Sequence, residues 1–201
     1  MTKSSSSFFN LICNLIIPTI ILTKFSSEST LGSFYGLLIA LSFPIFYGLS
    51  ELYFNKKINF FSVLGLISVL LTGGIGIFHF SASWLAVKEA FIPGIIGVAV
   101  IISTYTKYPL LKLFFEETLN IEGLREKLTP SENEWFNTRF QFSSLLLGGT
   151  FFISSFLNFC LATWIVVSDP GTEDFNQELG LMNLLSLPII ALPMMIILMV
   201  I

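Results

Sequence analysis

Lys88 and Glu89 are adjacent ionisable residues inside an otherwise apolar run, Trp84–Tyr105, and the search for chemistry begins with them. A charge on a long apolar helix is costly in hydrocarbon and marks a functional hypothesis by default. Neighbours on a helix point about 100° apart, so the two cannot share one face. Lys88 lies nearly opposite a stripe of small residues, Ala86, Ala90 and Gly94, and Glu89 lies on its flank. Two readings follow. In one, Lys88 snorkels to the outer headgroups and Glu89 complements the positive end of the helix. In the other, the pair lines a solute or proton path.

Pro93 breaks the same helix. It has no N–H for the carbonyl of Glu89, which is left free for another donor. Prolines 18, 44, 188 and 193 also fall inside apolar runs. They suit kinked helices around a cavity and equally a rigid bundle. Asn158, with Thr150, Ser154 and Ser155, gives one further run a polar face, for cross-helix hydrogen bonds or a polar path. Asn10 and Asn14 stand one turn apart and offer the same.

Other chemistries are poorly supplied. With His79 the single histidine, a multi-histidine metal site is excluded. Cys13 and Cys160 sit in apolar runs and read as buried thiols. The Thr72-Gly73-Gly74-Ile75-Gly76 run lacks the Lys-Ser/Thr of a phosphate loop and follows no strand. The expectation is a non-enzyme with no catalytic, cofactor-binding or metal-binding residues and no nucleic-acid partner.

The elements that must position these residues are set by composition. Only 11% of the chain is charged and 54% is hydrophobic, and its mean hydropathy is +0.83. Soluble domains usually carry about 25% charged residues. The chain therefore reads as all-α, a polytopic transmembrane helix bundle forming one domain over residues 1–201. Apolar runs fall at 8–23, 31–52, 60–80, 84–105, 142–167 and 179–201. They predict six spans, or five if the short first run does not cross, since a span needs about 20 residues. Between the fourth and fifth lies a connection at 106–141. There Leu110 to Leu128 carry apolar residues at helical spacing, which predicts an amphipathic helix on the membrane surface. Thr129-Pro130-Ser131-Glu132 reads as a capping box that starts the next helix near Pro130. The basic residues gather on one side of this topology, which places both termini in the cytoplasm. Gly32, Gly36, Gly73 and Gly74, with Ala86, Ala90 and Gly94, are the expected helix-packing positions.

Several stretches resemble the intracellular septation protein A family, also called inner membrane-spanning proteins, in a branch of short bacterial proteins sometimes labelled as major-facilitator-type transporters. They are LTGGIGIFHF (Leu71–Phe80), WLAVKEAFIPGIIG (Trp84–Gly97), KYPLL (Lys107–Leu111), FFISSFLNFCLA (Phe151–Ala162) and PGTEDFNQELGLMNLLSLPIIALP (Pro170–Pro193). The resemblance implies a bacterial inner-membrane protein with five or six spans. It further implies a non-catalytic role in cell-envelope maintenance or septation, exercised through membrane-protein partners or a homo-oligomer. The alternative is a small transporter or channel with Lys88 and Glu89 lining the path. The resemblance supplies no established site residues.

Overall fold

The computed structural model describes residues 10–55, 60–106, 109–115, 123 and 127–200. The described residues form helices and turns, with no strand among them. Helix α1 (Ile12–Lys24) opens with a π-turn at Ile12–Ile16 and continues as α-helix. Then come α2 (Gly32–Asn55), α3 (Phe60–Ile77), α4 (Ala82–Thr104), the short α5 (Leu110–Phe115) and α6 (Pro130–Ile165). Helix α7 covers residues 173–200 as Glu173–Ser186, a π-turn at Leu187–Ala191, and Leu192–Val200.

Four of these are long and apolar enough to cross a membrane: Gly32–Ser50 of α2, all of α4, all of α6, and Glu173–Ile196 of α7. The apolar helices Ile12–Lys24 and Val63–Ile77 are shorter. At about 1.5 Å per residue, α1 covers roughly 20 Å, less than the roughly 30 Å of a hydrocarbon core. Many large apolar side chains face outward, among them Phe46, Phe91, Ile102, Phe156 and Ile196. A water-exposed surface of that kind would aggregate, whereas lipid accepts it. Exposed aromatics mark the ends of α4, Trp84 at one and Tyr105 at the other. They are 21 residues apart, roughly 31 Å along a helix, the spacing of two interfacial aromatic belts.

The chain divides into two compact units. In the first, Met1–Glu89 with Leu157–Ala191, α1 packs on α2 and α7, and α2 packs on α3. Leu22, Leu37, Ala40, Phe175 and Leu179 form its core. Glycines permit the close crossings: a Cβ on Gly36 would strike Ser26, one on Gly76 would strike Leu37, and one on Gly180 would meet Thr23 at 2.8 Å. In the second, Ala90–Phe156 with Leu192–Ile201, Gly97 and Gly148 bring α4 and α6 together. A Cβ on Gly148 would lie 2.5 Å from Ile101, and one on Gly97 3.1 Å from the Gly148 carbonyl. The Ser155 hydroxyl donates to the Ala90 carbonyl at 2.6 Å.

Helix ends follow local chemistry. At the start of α6, the Thr129 hydroxyl and amide both donate to the Glu132 carboxylate, at 2.7 and 2.8 Å. The last helix begins at Glu173, ahead of the apolar run at 179–201. Thr172 caps it, accepting from the Phe175 amide at 3.2 Å, and Glu173 and Asp174 fill its first turn, where negative charge suits the helix dipole. Of the surface helix expected over Leu110–Leu128, Leu110–Phe115 is helical, and most of the remainder lies outside the described residues.

Candidate functional site

The first unit carries a half-open cavity of about 510 Å³, and all of its described lining residues belong to that unit. Its walls carry polar groups from several helices. From α4 come Lys88 and Glu89, from α3 come Ser68 and Thr72, and from α7 come Asn183 and Ser186. Asn10 and Asn14 also line it, bonded to each other at 3.2 Å.

Lys88 is the centre of this wall. Its side chain is 7% exposed, covered by the neighbouring helices. Its ammonium donates to Ser68 Oγ at 3.2 Å, Thr72 Oγ1 at 2.9 Å and Glu89 Oε1 at 2.5 Å. Ser68 and Thr72 stand four residues apart and so share one face of α3. Thr72 also donates back to the Ser68 carbonyl at 3.1 Å, which fixes its hydroxyl lone pairs toward Lys88. An ammonium has three protons to donate, and all three are used. Lys88 and Glu89 are neighbours on separate faces, yet the long lysine stem lets the two charges meet.

Proline-altered backbone surrounds the same space. Pro18 follows the π-turn of α1 and lines the cavity, as does Pro44 inside α2. Ser186 lines it immediately before the π-turn that contains Pro188. A proline removes one i→i−4 bond, and a π-turn re-pairs the backbone around the gap. Such interruptions at membrane depth are tolerated where they face protein or a water-filled cavity.

The remaining candidates are placed differently. Pro93 lies within α4 and Asn158 is half-buried on α6; neither lines the cavity. Ala86 is buried, Gly94 meets Ser155 at 3.4 Å and Gly73 meets Leu41 at 3.0 Å. Gly32 has open space around its Cβ position and a φ of +74°; it serves the turn that opens α2 and makes no helix contact. Gly74 likewise has nothing nearer than Phe78 of the following turn, at 4.0 Å. Helical wheels assign a face to a glycine but not the distance to the next helix.

Three groups carry more than their sequence context announces. Ser68 and Thr72 look like ordinary hydroxyls of an apolar helix until Lys88 is seen against them. Asn176 is fully buried and donates to Ser26 Oγ at 3.0 Å and the Ser33 carbonyl at 2.8 Å, tying α7 to the α1–α2 turn. Glu178 accepts from the amides of Val167 and Ser168 at 2.9 and 2.8 Å. Among the described residues no cluster of three or more metal-ligating side chains occurs.

The chain matches no family model, and neither the curated proteins nor the solved structures contain a match to it.

Proposed function

We propose that this chain is an integral membrane protein that binds a small polar solute in the Lys88–Glu89 cavity and passes it across the bilayer. The observation that carries the reading is the lysine ammonium buried on the cavity wall, held by Ser68, Thr72 and Glu89. Such an ion pair adds little net stability to a helix bundle, because its desolvation penalty can exceed its Coulombic gain. The proline-interrupted stretches at Pro18, Pro44 and Pro188 support the same reading, since broken helices around a central site recur in secondary transporters. The distribution of basic residues supports six spans with both termini in the cytoplasm. The resemblance noted above supports a bacterial inner membrane.

A second reading, envelope maintenance or septation through protein contacts, is favoured by one feature. The polar first turns of α6, before Phe142, carry an exposed Trp135 with the Arg139 guanidinium 5.5 Å from its ring centre. Such a cation–aromatic pair on a helix end is a fit contact point for a membrane-protein partner or a second copy.

The two readings separate at position 88. In a variant with Cys13 and Cys160 replaced by Ala, Lys88→Cys is exposed to charged thiol reagents of increasing size in sealed vesicles. The solute-path reading expects modification by small reagents and protection from large ones. Modification at every size, or at none, overturns it.

A further inference from the structure

We infer that the solute is a net-neutral zwitterion of the α-amino-acid class, bound head-to-tail against Lys88 and Glu89; this rests on the cavity being the solute site.

Among the described lining residues Lys88 and Glu89 are the only charged side chains, so the described wall is net neutral. A lone anion would share Lys88 and leave the cavity with one uncompensated negative charge. A lone cation on Glu89 would leave one positive charge. Either is costly in a space walled by apolar helices. A zwitterion adds one charge of each sign and keeps every charge paired. A neutral polyol would also keep the balance, but it would use the carboxamides and leave the ion pair idle.

The hydrogen-bond inventory points the same way. The three Lys88 protons are already engaged. One of their partners, the Ser68 hydroxyl, can turn its proton to an arriving carboxylate, whereas Thr72 gives its own to the Ser68 carbonyl. Glu89 has Lys88 as its one partner among the described residues. A carboxylate has about four acceptor sites, so most of its capacity is open to an ammonium. Asn183 adds a carboxamide to the same lining. In an α-amino acid, ammonium and carboxylate hang from one carbon. That compact dipole set antiparallel to the Lys88–Glu89 pair gives a four-charge ring of alternating sign. The cavity, about 510 Å³, lies within the 300–1,000 Å³ usual for small-molecule sites, with room for a side chain beyond the ring.

The test uses the full chain in detergent micelles, with thermal unfolding followed by tryptophan fluorescence against each common L-amino acid. For the amino acid with the largest effect, its methyl ester (cation only) and N-acetyl form (anion only) are titrated beside it, with myo-inositol as the neutral control. At least one amino acid should raise the midpoint. Each blocked form should bind roughly 30-fold more weakly or worse, the scale of losing one buried charged partner. The charge-neutral double variant Lys88→Met/Glu89→Gln should lose the response while still eluting as a single species. Equal binding of a blocked form or of myo-inositol overturns the inference, and so does undiminished binding by the double variant. If no amino acid shifts the midpoint while Ser68→Cys reacts with small aqueous reagents, the zwitterion is wrong and the cavity reading stands. If Ser68→Cys does not react either, both fall.

Discussion

Lys88 shows what a single buried charge does to the fold as well as to the site. Its ammonium has traded water for two hydroxyls and a carboxylate. Removing one partner of a buried pair strands the other, which typically costs about 3–5 kcal/mol, whereas removing both costs much less. Lys88→Met alone should therefore destabilise the protein by about that amount, and Lys88→Met/Glu89→Gln by clearly less. Equilibrium unfolding in mixed micelles measures both. A double variant as unstable as the single one would show that packing of the lysine stem, and not the charge, is what matters. Gly171 makes a second case. Its φ is +91° and a Cβ there would run into the His79 ring, whose Nδ1 pairs with the Pro170 carbonyl at 2.8 Å. Gly171→Ala should cost about 1–3 kcal/mol and release His79, seen as a shift of its ring resonances. An unshifted imidazole would contradict the contact.

At the scale of the element, the cap of α6 carries a pH dependence whose sign is fixed by its geometry. The Thr129 hydroxyl, and after it the Thr129 amide, hold the Glu132 carboxyl below the usual carboxylate range. A carboxylate favoured in the folded state binds its proton less readily there than in the unfolded chain. The cap therefore contributes fully above the carboxyl's unfolded-state pKa and is lost as pH falls through the depressed value. Amide protection factors in the first turn of α6, corrected for the intrinsic pH dependence of exchange, should fall on acidification, and Glu132→Gln should flatten that response; an unchanged response would assign it to another group. This element was legible in advance, because Thr-Pro-Ser-Glu states its own start. The start of α7 was harder to read. Its first turn is acidic and looks like a surface loop, and only the Thr172 cap and the burial of Phe175 and Asn176 make it helical. The π-turns of α1 and α7 are not written in any residue pattern beyond the prolines beside them, since the same proline also suits a simple kink.

For the whole molecule, hydropathy announced an all-helical chain suited to lipid, because so low a charge content leaves few other solutions. It did not announce the cavity. That Ser68 and Thr72 face Lys88 depends on how α3 and α4 pack, and hydropathy says only that each helix is apolar. The glycine contacts divide in the same way: Gly36 packs and Gly32 turns, though both sit in one GxxxG spacing. The central claim concerns water in that cavity, and position 68 reports on it without removing a charge. Ser68→Cys, with Cys13 and Cys160 replaced by Ala, is reacted with small and large charged thiol reagents in vesicles sealed in each orientation. The account predicts modification by the small reagents in both preparations and resistance to the large ones in both. A position 68 that stays unreactive from either side would mean a dry ion pair between packed helices, and would contradict it.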